Sequence, residues 1–301
     1  MFVYKVKKQW VSLVFICFSS VALADDIKDI CNLDPLTCLS ETVHRQQSHQ
    51  AGSLEWWALE ELRLESLFEL QKNDELYAAV RPWVGNASVP AEYEPVIQLF
   101  LGKWLRASER ADESKVALNK ALSGFQQQYA AMPSQQSGIR VLNLLVVLDK
   151  FDEASAFANE LEQENFDAPI FYREMFAELG HVAHRRNALA LHIEYRLKSL
   201  LWAKKVPDLQ QQAIAHGNYG VALRESQKFI MAEAAFLDGL KCAEQAKDVA
   251  QVNAIRLRIA EVAKLQNNTA KSKQWLNKVV LSELPAVQIR YYRKLADELV
   301  L

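Results

Sequence analysis

The 301-residue sequence contains few of the residue patterns on which catalytic and phosphate-binding sites depend. Its nine glycines form no phosphate-binding loop or nucleophile elbow, and no metalloprotease helix motif is present. Lysine and arginine form no block, and 35 basic residues stand against 37 acidic ones, for a formal net charge of -2. This composition disfavours an enzyme and a general nucleic-acid-binding protein, and it implies no cofactor.

Long apolar runs are also scarce, and the clearest one lies near the N-terminus. Residues 5–8 contain three lysines, the apolar run Trp10 to Leu23 follows, and Ala22-Leu23-Ala24 offers a small-x-small cleavage site before Asp25. This pattern predicts a signal peptide and a periplasmic mature protein without stable membrane insertion. The alternative is an uncleaved membrane anchor, for which the run is short.

Cysteine is rare, and three of the four cysteines remain after this predicted cleavage. Cys31 and Cys38 flank a turn-rich stretch in which Pro35 sets a bend, so we expect a disulfide between them in an oxidising compartment. Cys242 lies on an apolar helical stripe and is interpreted as a buried free thiol.

The sequence repeats with a period of 40 residues. Gly180, Gly220 and Ala260 keep this spacing, and each follows an apolar residue; Ser199, Gly239 and Val279 keep it again about twenty residues later. Self-similarity at such a period is typical of stacked supersecondary units, none of which can bury its apolar face alone. The repeat favours a platform for binding over a catalyst.

The residues within one period resemble the tetratricopeptide repeat (TPR) family, in an exported bacterial form. The signature positions are Gly220 in the first helix and Ala232, Phe236 and Gly239 in the second, where small residues let two helices approach closely. Earlier copies contain Gly102 with Ala117-Leu118, and Leu142 with Phe151 to Ala154. His192 departs from the pattern, since it stands where the second helix usually carries alanine.

The resemblance implies an all-α fold, a right-handed α-α superhelical solenoid of TPR-like helix pairs. Residues 25–52 are predicted to be a polar lead with the cysteine loop, and 53–285 an array of about six helix pairs. Residues 286–301 show apolar positions at helical spacing and are predicted to form a C-terminal capping helix, because the last repeat would otherwise expose its apolar side. Residues 126–138, with several glutamines and Pro133, predict the clearest break between helices.

The first helices of such arrays line a concave groove in which peptides or protein tails bind. The corresponding positions form a mostly basic stripe with two valines at its middle, so the expected partner is a protein or peptide with acidic residues or a C-terminal carboxylate. The alternative is that these are ordinary solvated helix residues. The candidate groove residues are Lys103, Arg106, Asn143, Val146, Val147, His181, His184, Arg185, Arg224 and Lys264.

Four histidines raise the question of a metal site. His181 and His184 lie three apart on one helix, and His192 or His216 would be a third ligand, but these residues fall on three predicted helices. We therefore expect solvated helix histidines and no metal. The sequence predicts a non-catalytic exported scaffold or adaptor; the alternatives are a sensory or small-ligand-binding repeat protein of an envelope signalling system and, without any supporting motif, an enzyme.

Overall fold

The computed structural model of the chain describes residues 27–28, 30–31, 34–284 and 286–299. The predicted signal peptide, its cleavage site and the predicted mature start at Asp25 lie outside these residues. The described residues contain fourteen α-helices and no strand, which confirms the predicted all-α class. None of the helices in this part of the chain combines the length and the apolarity needed to cross a bilayer.

The chain divides into two compact units between Gly124 and Phe125. In the first unit Asp34 caps the helix that starts at Pro35, since its side chain accepts a hydrogen bond from the backbone N–H of Leu36 at 3.0 Å. The α-helices up to the division, which falls within the last of them, are α1 (Pro35–Gln46), α2 (Leu54–Glu69), α3 (Asn73–Val80), α4 (Glu94–Ala107) and α5 (Ala111–Ala131).

The second unit contains the clearest repeats. Helices α8, α10 and α12 each span 17 residues, and each begins 40 residues after the one before it. The α-helices of this unit after α5 are α6 (Gln135–Val147), α7 (Phe151–Gln163), α8 (Pro169–Arg185), α9 (Leu189–Ala203), α10 (Leu209–Glu225), α11 (Phe229–Gln245), α12 (Val249–Leu265), α13 (Thr269–Leu276) and α14 (Ala286–Glu298).

Glycine in the first helix of a pair is required by the side chain that packs against it. A Cβ atom on Gly220 would lie 2.5 Å from a ring carbon of the fully buried Phe236. A Cβ atom on Gly102 would lie 2.6 Å from the side chain of Leu118 in the same way. The TPR-like spacing of small and large residues is therefore a packing requirement, as the sequence predicts.

In the turns between the two helices of a pair, residues other than glycine adopt the left-handed backbone conformation, with positive φ. Asn187, Gln227 and Asn267 have φ of 53°, 59° and 60°, and each closes the first helix of its pair. The following N–H donates back into that helix, for example from Lys228 to the carbonyl of Leu223 at 2.9 Å. This is the hydrogen bond of a Schellman-type helix end, and it ties each pair into a compact hairpin.

Helix α14 covers the end of the second unit. Leu295 and Leu299 are buried in a cluster with Leu257, Leu276 and Leu284. Because these residues come from α12, α13 and the segment before α14, the helix packs on the last helix pair of the described residues.

The cysteines agree with the sequence in pairing but not in local structure. Cys31 and Cys38 form the predicted disulfide, with Cα atoms 4.5 Å apart. The predicted bend at Pro35 is wrong, because this residue occupies the first turn of α1, where its missing N–H has no helical partner to lose. Cys242 is free as predicted, but it is half-buried rather than buried.

Candidate functional site

Two of the predicted groove residues, Lys103 and Arg106, lie in α4 of the first unit. Lys103 Nζ stands 4.3 Å from the ring centroid of Phe68, a cation–π contact. Burial lowers the pKa of Lys103, while the charges of Glu65 and Glu69 act in the opposite direction. Lys103 therefore makes contacts of its own within this unit, whereas Arg106 is exposed.

The other eight predicted residues lie in the second unit, on or beside the first helices of the pairs. Asn143 and Val146 belong to α6, His181 and His184 to α8, and Arg224 to α10. Polar side chains from these helices make hydrogen bonds and ion pairs with residues of the neighbouring helix. We call this surface, which the first (A) helix of each pair and α14 form, the A-helix face. It comprises Asn143, Glu178, His181, His184, Arg224, Glu225, Glu261, Lys264 and Glu298.

Hydrogen bonds and ion pairs on the A-helix face connect the first helix of each pair to the first helix of the following pair, or to α14. Asn143 Nδ2 donates to Glu178 Oε1 at 3.0 Å, which links α6 to α8. His184 Nδ1 lies 3.0 Å from Glu225 Oε2, which links α8 to α10. The series continues with an ion pair between Arg224 and Glu261 at 2.5 Å and another between Lys264 and Glu298.

The charge of this face differs from the predicted basic stripe. Arg224, Lys264 and Arg185 each meet a carboxylate, that of Arg185 being Asp149 at 2.9 Å. The sequence alone does not show this, because the acidic partners come from other helices. Charges of both signs alternate along the face, so a ligand meets a mixed surface.

The two valines in the middle of the predicted groove are not equally accessible. Val146 is buried in the packing of α6, while Val147 is half-buried. Any apolar contact between this part of the face and a ligand therefore depends mainly on Val147.

Several groups on the face have shifted protonation equilibria. Burial raises the pKa of Glu178, and the hydrogen bond from Asn143 opposes this effect. Burial, then the hydrogen bond to Glu261, raises the pKa of Tyr291, which extends the series of partners to α14. Groups of this kind are desolvated enough to take part in specific hydrogen bonds.

A residue that the sequence analysis missed stands beneath this face. Arg196 of α9 is only 5% exposed, and its guanidinium contacts His181 of the face and the buried His192. The 40-residue period contained the signal, since Arg196 lies one period before Phe236. A guanidinium at this position breaks the apolar pattern of the repeat.

Three potential metal ligands come close together here, but the arrangement is that of a hydrogen-bond network. His184, His192 and Glu225 place one nitrogen or oxygen atom each within 4.8 Å of one another. Arg196 Nε, however, donates to His192 Nε2 at 3.3 Å, which leaves the proton of a neutral ring on Nδ1. A metal at Nδ1 would require the opposite tautomer. His216 lies against Gly239 rather than with this group.

A cleft in the second unit lies between the end of α7, the start of α8 and the end of α9. Its volume is about 530 Å³, and the rings of Tyr172 and Trp202 stack in it at 4.6 Å. One period later these positions hold Gln212 and Cys242, so the repeat does not require aromatic residues there. The cleft is lined by Glu162, Asn165, Phe166, Asp167, Tyr172, Phe176, Lys198 and Trp202.

The helix pairs have the fold of TPR-like helical repeat proteins. Two solved structures share this fold over most of the chain. The apo form of RapI matches with a TM-score of 0.59 and 13% identity, covering 93% of this chain and 77% of RapI. A Rap protein complexed with competence and sporulation factor matches with a TM-score of 0.59 and 9% identity, over the same shares. At such identities the likeness shows the fold alone.

No protein-family model and no curated sequence match this chain at a significant level.

Proposed function

We propose that the protein is a non-catalytic exported scaffold or adaptor that binds a peptide or protein segment on the A-helix face of the second unit. The observation that carries this proposal is the series of polar partners that joins the helices of this face, from Asn143 to Glu298. Such a series presents hydrogen-bonding groups at each repeat, which suits a ligand that extends across several helices. A Rap protein of this fold was solved complexed with competence and sporulation factor, which supports ligand binding by such an array.

The paired cations define how an acidic ligand would bind. A carboxylate of the ligand, at a side chain or at its C-terminus, would replace Glu261 at Arg224 or Glu298 at Lys264. Partly exposed ion pairs contribute only about 0–1 kcal/mol, so this exchange costs little. Ligand basic groups would then meet the released carboxylates, and we propose a partner that carries both charges.

The test needs a ligand of known sequence, which selection from a random peptide library on the purified mature protein provides. The variant Arg224→Glu/Lys264→Glu should bind the selected peptide at least tenfold more weakly by calorimetry, because a charge of the wrong sign meets each ligand carboxylate. Lys241→Glu, on the exposed side of α11, is the matched control and should bind normally. Unchanged affinity in the double variant would exclude this face.

A second candidate is a sensory protein that binds a small molecule, and the cleft beside Tyr172 and Trp202 favours it. Its volume falls within the range of about 300–1,000 Å³ that small-ligand sites occupy. A small molecule that copurifies with the protein and is lost from Trp202→Ala would support this function over the scaffold.

A further inference from the structure

One repeat of the second unit replaces two core residues with polar ones. One period separates His192 from Ala232, and the same period separates Arg196 from Phe236. Ala232 and Phe236 are fully buried, whereas His192 and Arg196 are 2% and 5% exposed. The same part of the fold is therefore polar and charged in one repeat and apolar in the next.

Arg196 takes the packing place of the aromatic ring. A Cβ atom on Gly180 would lie 2.7 Å from Arg196 Nε, just as one on Gly220 would meet Phe236. An apolar side chain at this position would pack the helices at least as well as arginine does. A buried charge loses its hydration, and other interactions must compensate for that loss. The guanidinium thus calls for an explanation beyond stability.

The hydrogen bonds of Arg196 determine the protonation of two imidazoles. Its Nε donates to His192 Nε2 at 3.3 Å, and its Nη2 lies 3.2 Å from His181 Nδ1. Its Nη1 donates to the carbonyl of Ala177 at 3.1 Å. A guanidinium has donors only, so both ring nitrogens that face it must be acceptors without a proton.

Each ring then carries its proton on the other nitrogen. His192 Nδ1, which then carries the proton, lies 3.3 Å from Glu225 Oε2. His181, an exposed residue, carries Nε2–H on the side of the ring away from Arg196. The charged or titratable groups around the pair are Arg196, His184, Glu178 and Glu225. Partial desolvation of the rings, and then the charge of Arg196, lowers the pKa of both histidines to about 4.

The donor of His181 has acceptors beside it on the A-helix face. Glu178 and His181 are three residues apart on α8 and share one side of the helix. Glu178 Oε1 accepts from Asn143, whose own amide oxygen is an acceptor. One neutral donor next to carboxylate and amide oxygens is complementary to an amide group, which offers one acceptor and one donor.

We propose that Arg196 is a positioning residue that holds His181 as a neutral Nε2–H donor, so that His181, Glu178 and Asn143 form a subsite for an amide group of the bound peptide. The ligand part rests on the proposed function, whereas the role of Arg196 does not.

The tautomers are measured without any ligand by long-range ¹⁵N–¹H correlation spectra of histidine-labelled protein. The wild type should show His181 protonated only at Nε2 and His192 only at Nδ1, unchanged between pH 5.5 and pH 8. In Arg196→Met the exposed ring of His181 should titrate within this range, because the cation that opposes its charge is gone. Lys198→Met, on the same helix, is the control and should resemble the wild type. Charged rings in the wild type, or zinc binding at His192 Nδ1, would overturn the proposal.

The ligand part is tested with the library-selected peptide and with a set of its analogues, each having one main-chain amide replaced by an ester. One ester should bind about tenfold more weakly to the wild type, and this loss should disappear in Glu178→Ala or His181→Ala. His181 is exposed and Glu178 is only half-buried, so these variants should keep the fold even where Arg196→Met does not. If no ester weakens binding, or if the loss persists in both variants, the amide subsite is wrong. If selected peptides bind elsewhere while the tautomers are as expected, the proposed function fails and the positioning role of Arg196 stands.

Discussion

Gly220 offers a quantitative test of the repeat packing. Gly220→Ala places a methyl group 2.5 Å from the ring of Phe236, which has no free space to move into because it is fully buried. Overpacking of this kind costs about 1–3 kcal/mol. Alanine gains about 0.5–1 kcal/mol over glycine in a helix interior, so we expect a net loss of up to about 2.5 kcal/mol, near 1 kcal/mol at the middle of these ranges.

The next repeat provides the compensating change. There the same two positions hold Ala260 and Leu276, both fully buried. We therefore expect Gly220→Ala/Phe236→Leu to be more stable than the sum of its single variants predicts, with a coupling of at least about 1 kcal/mol. Urea unfolding followed by circular dichroism measures all four proteins. Additive losses, or a Gly220→Ala variant more stable than the wild type, would show that this contact is not tight.

Three further predictions concern other parts of the chain. The pKa of His192 is lowered to about 4 in the folded protein from an ordinary 6.5, so the free energy of unfolding should be highest above pH 6.5 and fall by up to about 3 kcal/mol towards pH 4. The free energy of unfolding of His192→Ala should fall less over this range, and equal pH profiles for the two proteins would contradict this. Titration of the unreduced, denatured mature protein should find one reactive thiol, that of Cys242, and three would mean that the disulfide is absent. N-terminal sequencing of the periplasmic fraction should begin at Asp25, and recovery of Met1 would exclude the predicted cleavage.

The sequence predicts the helix pairs well because the repeated spacing reflects a steric requirement, the packing of a large side chain against a small residue of the paired helix. Gly220 and Phe236 are recognisable as a pair wherever one small and one large residue recur at fixed spacing. The predicted break at residues 126–138 is wrong over its first half, since α5 continues to Ala131. Glutamine and alanine are good helix formers, and only Pro133 and its neighbours interrupt the helix.

The candidate site is harder to predict from the sequence than the helix pairs are. The basic residues were found, but their partners Glu225, Glu261 and Glu298 are brought to them by the packing of successive helices. Arg196 was overlooked because an arginine within a helix is normally exposed, and only the comparison with Phe236 one period later marks it as buried. Periodicity identifies equivalent positions in successive repeats, whereas the pairing of charges depends on contacts between helices that the sequence does not show.

The left-handed turns have a consequence for how this protein can adapt. Asn187, Gln227 and Asn267 hold backbone angles that glycine adopts without strain. Changing Gln227 to glycine would relieve that strain locally, and changing Asn267 to a branched residue would increase it. Each turn contributes to one hairpin and its neighbours only, because stability in a repeat array is close to a sum over units. Natural variation at these three positions can therefore adjust the melting of individual hairpins to a new growth temperature while the residues of the A-helix face remain unchanged.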